Sequence, residues 1–117
     1  MLTNTNKAIF IDLIYDYEQN PDKWNFKGKR PAVLYFHAPW CGVCLALDKV
    51  ITQVAQVYEG KVDFYSIDVA QESELNKEFG ARTVPSLLFI PTTGSLQRIL
   101  GMLSKPQFES ILNSMIH

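Results

Sequence analysis

Cysteine is scarce in this chain of 117 residues: there are two, Cys41 and Cys44. That is too few for the crosslinked framework on which small secreted domains rely. Long apolar runs are missing as well. No stretch approaches the ~18 consecutive apolar residues of a membrane span, so none is expected. Nor does charge of one sign accumulate. With a formal net charge of −1 and no clustered basic face, the chain has no field to draw nucleic acid or an anionic membrane. A glycine-rich phosphate loop is absent, which removes nucleotides from the expected ligands. The opening "MLTNTNKAIFIDLIYDY" has neither the basic start, the clean apolar centre nor the small-residue cleavage site of a signal peptide, and the compartment stays open on this reading.

What is present describes an ordinary folded domain. Apolar residues make up 47% and charged residues 20%, a balance that argues against disorder. The length suits one domain over residues 1–117 with a core of its own. Residues 6–17 mix Ile9, Leu13, Tyr15 and Tyr17 with Lys7, Asp12 and Asp16, which reads as an amphipathic helix. "QNPDKWNFKGKRP" is a loop whose Trp24 and Phe26 are expected to pack back on the domain. "AVLYFH" is a continuous apolar run of strand length, as in a central strand covered on both faces. Residues 42–58 form a long helical stretch. Val43, Leu47, Val50, Ile51, Val54, Val57 and Tyr58 are expected inward, with Asp48, Lys49, Thr52, Gln53 and Gln56 outward. Gly60 marks its stop.

"KVDFYSID" follows as a second strand, and strand–helix–strand implies a right-handed parallel crossover. "AQESELNKEFG" is a short polar helix. "VPSLLFIP" and "SLQRILG", joined by the turn "PTTG", make an antiparallel hairpin. "SKPQFESILNSMIH" closes the chain as a helix capped by Ser104, with Phe108, Ile111, Leu112 and Met115 on its buried face. Residues 1–3 supply at best a strand stub. Trp24, Met102 and the pair Tyr15 and Tyr17 read as core, and Asp12, Asp16, Glu18 and Asp22 as a solvated edge.

The two cysteines sit where that first apolar strand gives way to the long helix. Residues three apart on a helix have side chains about 5–6 Å apart, and a disulfide asks for Cα atoms at ~5.5–6 Å. Such a pair closes and reopens with little structural change. If the helix starts near Cys41, that sulfur lies among unpaired backbone N–H groups at the positive end of the dipole. Lowering a thiol from ~8.5 to ~7 makes about half of it thiolate at neutral pH. Cys44, one turn in, is expected to be more buried. One cysteine is built to attack and the other to resolve. Two other readings stay open. Zinc wants four ligands; Cys41, Cys44 and His37 make three at most and His117 is the last residue, so a second chain would have to complete the site. A structural crosslink would join neighbouring turns and constrain little.

"AVLYFHAPWCGVC", "TVPSLLFI" and "GMLSKPQFESIL" together resemble the thioredoxin family, in order across residues 31–115. The resemblance implies a thioredoxin fold: an α/β domain of three layers, α/β/α, with a mixed sheet of four to five strands. It implies a thiol-disulfide oxidoreductase with Cys41 as nucleophile and Cys44 as resolving residue, and a cis proline at Pro85. Trp40, Gly42, Thr83, Val84, Pro85 and Gly101 would border the groove for the partner's extended chain. Partners would be proteins bearing disulfides or thiols and an external redox partner that resets the pair. No cofactor beyond the pair and no metal would be needed, and the protein would be a monomer.

Several positions depart from the family's pattern. Tyr35 stands where a buried carboxylate is usual, and Phe64 near the place of the lysine paired with it. Val43 replaces the proline between the cysteines, Leu45 a basic residue, and Lys49 the proline inside the helix. A phenol with reference pKa ~10 does not accept a proton at neutral pH as a carboxylate does. Deprotonation of Cys44 therefore needs another acceptor, either water or His37, whose reference pKa is ~6.5. Val43 and Leu45 make the rim more apolar and suggest a preference for greasy or partly unfolded segments. The same losses support a rival reading: a non-catalytic module that keeps the fold for binding a partner or metal.

Overall fold

The computed structural model describes residues 2–116. Its elements are β1 (Leu2–Asn4), α1 (Lys7–Leu13), β2 (Ala32–His37), α2 (Gly42–Val57), β3 (Asp63–Asp68), α3 (Ser73–Phe79), β4 (Ser86–Ile90), β5 (Gln97–Leu100) and α4 (Lys105–Met115). Met1, part of the expected stub, and His117, weighed as a ligand, lie outside the described residues.

The apolar run Ala32–Phe36 is buried throughout, and it becomes the middle strand of a sheet ordered β1-β3-β2-β4-β5. β3 runs parallel to β2 through the α2 crossover, and β4 and β5 are antiparallel. The stub is a real strand, shifted by one residue, with Leu2 opposite Phe64 and Asn4 opposite Ser66. Alternation along β2 divides the core. Val33 and Tyr35 join Leu47, Ile51 and Val54 of α2 and Phe108 and Leu112 of α4 on one face. Leu34 and Phe36 join Phe10 in the middle of α1, Ile14 just beyond its end, and Leu75 of α3 on the other.

α1 is shorter than the expected residues 6–17. Asn6 caps it by accepting from the Ile9 amide at 2.9 Å, and it closes when the amides of Ile14 and Tyr15 both return to the Phe10 carbonyl. The chain then doubles back, so that the Lys27 amide bonds the Ile14 carbonyl at 2.8 Å and Trp24 and Phe26 pack on the second cluster, as expected. Buried Tyr15 pins this loop through the carbonyls of Asn20 and Lys23.

The inward stripe of α2 is Cys44, Leu47, Ile51, Val54 and Ala55. Val43 and Val57, expected within it, are half exposed or more. Val43, in the first turn, is rotated about 100° from its neighbour Cys44, and Val57, the last residue of the helix, about 60° from Val54. Met102, expected in the core, is exposed. In α4, Ser104 accepts from the Gln107 amide while the Gln107 side chain accepts from the Ser104 amide, a complete capping box. Gly94, at φ +101, supplies the left-handed residue of the β4–β5 turn.

Candidate active site

β2 delivers the chain at His37 to the loop Ala38–Trp40, and the Cys41 amide bonds back to the Ala38 carbonyl at 3.2 Å. Cys41 is the N-cap of α2, with extended backbone, and its Sγ accepts from the Cys44 amide at 3.2 Å. A sulfur takes the place that a serine or aspartate oxygen usually holds at a helix start. The two cysteines are joined as a disulfide with Cα atoms 5.3 Å apart. Their environments differ as expected. Cys44 is 2% exposed and packs with Leu47 and Leu87, whereas Cys41 lies half-buried at the edge of the same cluster.

The residues expected to border a groove converge here. Phe36 pairs with Ser86, so the residue before β4, Pro85, stands at the end of the sheet where β2 runs into the cysteines. The Val84–Pro85 bond is cis, as the resemblance implies. The Gly101 amide donates to the Pro85 carbonyl at 3.0 Å, and Gly101 has φ +84, a conformation that a side chain would strain. Val84 and Cys41 pack against one cluster. Trp40, 72% exposed, lies open to solvent beside Cys41, and Gly42 and Thr83 are exposed. Val43, Leu45, Leu100 and Met102 add further exposed apolar surface, from the first turn of α2 and from the chain on either side of Gly101.

His37 is half-buried at the end of β2, its ring stacked on that of Tyr35 with centroids 5.1 Å apart. Among the described residues its imidazole makes no hydrogen bond. Among the same residues no group of three or more His, Cys, Asp or Glu side chains is placed to hold a metal ion.

Tyr35 is buried, and its hydroxyl lies 3.0 Å from the Cys44 carbonyl oxygen and 2.6 Å from Oδ1 of Asp48. Burial, then the hydrogen bond to Asp48 and its charge, push the phenol well above its ordinary range. Asp48 was expected on the outward face of α2 and is instead half-buried against the site. Two signals in the sequence point to it: it follows Cys44 by four residues, hence on the same side of the helix, and a buried tyrosine hydroxyl needs a partner.

A helix-capping disulfide with one accessible and one buried sulfur, facing a cis-proline loop, defines a dithiol–disulfide exchange centre. Comparison with known proteins agrees. The thioredoxin family model matches residues 17–114. The chain is 35% identical over 112 residues to a thioredoxin of Borreliella burgdorferi, covering 96% of this chain and 95% of that protein. It is 33% identical over 86 residues to a thioredoxin of Haemophilus influenzae, covering 74% and 80%. The crystal structure of chloroplastic thioredoxin z shares the fold, with a TM-score of 0.77 at 22% identity over 97% of this chain and 93% of that one. The chain belongs to the thioredoxin family. It has the thioredoxin fold and is a thiol-disulfide oxidoreductase that acts on protein disulfides through its Cys-Gly-Val-Cys pair.

Proposed function

We propose that Cys41 is the attacking sulfur and Cys44 the resolving one, and that the partner's extended chain lies across Trp40, Gly42, Thr83, Val84, Pro85 and Gly101. The observation that carries this is the unequal setting of the two sulfurs: Cys41 at the helix cap and partly open, Cys44 sealed beneath it. In the reducing direction the Cys41 thiolate attacks the partner's disulfide, and the Cys44 amide and helix dipole stabilise it. A mixed disulfide forms, and Cys44 displaces the reduced partner. The backbone beside Val84 aligns the partner strand by main-chain hydrogen bonds. The protein acts as a monomer, needs no cofactor beyond the pair, and is returned to its starting state by an external redox partner. An insulin-disulfide reduction assay tests the roles. Cys41→Ser is expected to remove both turnover and covalent capture, whereas Cys44→Ser removes turnover but accumulates the mixed disulfide. Capture through Cys44 would reverse the assignment.

The exposed apolar residues around the pair, Trp40, Val43, Leu45, Leu100 and Met102, favour apolar or partly unfolded partner segments. Disulfide peptides with leucine flanks are expected to show a higher kcat/KM than the same peptides with aspartate flanks, at high as well as low salt. Equal values for the two sets would remove this preference.

A further inference from the structure

Before Cys44 can displace a partner from Cys41, its thiol must lose a proton. An unperturbed thiol with pKa ~8.5 is only a few per cent ionised at neutral pH, so a positioned acceptor matters. Tyr35 cannot serve, because its phenol holds its proton across that range. The structure brings a carboxylate to the same place from a different element. Asp48 follows Cys44 by one turn of α2, and its Oδ1 meets the Tyr35 hydroxyl, which in turn meets the Cys44 carbonyl.

A hydroxyl carries one proton, and this one faces two acceptor oxygens. With Asp48 ionised, that proton serves only one of them at a time. Once Asp48 takes up a proton, its O–H donates to the Tyr35 oxygen, and the Tyr35 O–H is free for the Cys44 carbonyl. Both contacts are then hydrogen bonds. The cluster has room for one more proton, a single helical turn from the thiol that must release one.

We propose that Asp48, positioned by Tyr35, is the proton acceptor for Cys44, a role that rests on the thiol-disulfide activity described above. In the mixed disulfide the proton leaves Cys44 Sγ for the Asp48 carboxylate, directly or across one water. The Cys44 thiolate attacks Cys41 Sγ, and the Cys41–partner bond breaks as the Cys41–Cys44 bond forms. The electron pair departs on the partner's sulfur, which is protonated from solvent. The partner has gained two electrons, the pair has lost two, and the proton on Asp48 passes to solvent. In the oxidising direction the same carboxyl returns its proton to the departing Cys44. The titratable groups around Asp48 are Tyr35, which bonds it from β2 with His37 stacked on its ring, and Cys44, one turn earlier on α2. The residues of β1 carry no titratable side chain, and Glu109 and Asn113 of α4 act on Tyr58, nearly three turns further along. Among the described residues Asp48 makes no ion pair.

The reduced protein mixed rapidly with an aromatic disulfide (dithionitrobenzoate) separates the two steps: one thionitrobenzoate is released when Cys41 attacks and a second when Cys44 resolves. Asp48→Asn is expected to slow the second release roughly a hundredfold at neutral pH, the low end of what positioned acid–base groups supply. The first release should stay unchanged. The wild type should lose its second phase as the carboxylate is protonated at acid pH, and the variant should lack that dependence. Asp48→Glu should recover part of the rate, and Tyr35→Phe should show a smaller slowing with a displaced pH profile. If Asp48→Asn folds poorly, Asp48→Glu and Tyr35→Phe decide the matter through their profiles. A second phase in Asp48→Asn equal to the wild type's overturns the proposal, as does loss of the acid dependence in His37→Gln alone. Absence of the first phase in the wild type would instead strike at the thiol chemistry itself.

Discussion

Tyr35 shows how one hydroxyl ties stability to the site. Its phenol is pushed above the ordinary range by burial first and by Asp48 second. The folded state therefore keeps a proton that the unfolded chain gives up near pH ~10. The stability this contributes is whole below that pH and is lost as pH rises beyond it. Thermal melts from pH 8 to 11 should show the wild type falling away at the alkaline end and Tyr35→Phe falling less. At neutral pH the variant should be less stable by about 1 kcal/mol, the worth of a typical internal hydrogen bond. A variant as alkali-sensitive as the wild type would show that another group sets the limit. Cys41, Cys44 and Pro85 were legible in the sequence because few structural roles demand those residue types in that arrangement. Asp48 was not, because an acidic residue on an amphipathic helix is by default assigned to water. Its half-burial is fixed by the Tyr35 hydroxyl that β2 brings against α2, a long-range contact that outweighs this default.

At the scale of elements, α2 and α4 hold the face of the sheet on which the site is built. Leu47 is fully buried between them and β2, and Leu47→Ala should cost about 2–5 kcal/mol in denaturant titration. Ser104→Ala, which opens the capping box of α4, should cost about 1 kcal/mol; a larger effect from the cap than from the core would contradict this packing. On the opposite face, Glu74 of α3 accepts from the Tyr17 hydroxyl and pairs with Lys7 of α1 at 2.9 Å. Those two contacts, Tyr17 first, hold the Glu74 carboxyl below its usual value. A lowered carboxyl contributes stability above its unfolded pKa of ~4.3 and loses it as pH falls. The Lys7 and Glu74 side chains are well exposed, so the effect is small. The difference in melting temperature between wild type and Glu74→Gln should shrink as pH is lowered through that range, and a constant difference would remove the linkage. The extents of these helices were only partly legible. α1 stops at Leu13 because the chain must double back for the Ile14–Lys27 bond, a long-range constraint that local periodicity does not carry.

For the molecule as a whole, the core is divided between two faces of one sheet, and the disulfide joins neighbouring turns at one end of it. Closing so short a loop constrains the unfolded chain by at most about 2 kcal/mol. Reduction with dithiothreitol should therefore leave far-ultraviolet circular dichroism unchanged and lower the melting temperature only modestly. Unfolding on reduction would mean that the pair is a staple. The order of elements was legible from the alternation of apolar runs and turn residues. The first strand was the least legible, since its three residues gain their conformation from pairing with β3.

The sheet ends on both sides in short strands, three residues in β1 and four in β5. A stranger's backbone finds almost no ladder to extend along either flank, so promiscuous edge-to-edge growth is discouraged. If a visiting polypeptide lies across Val84 as proposed, its main-chain partners are met there, beside the sulfurs, and not along either flank.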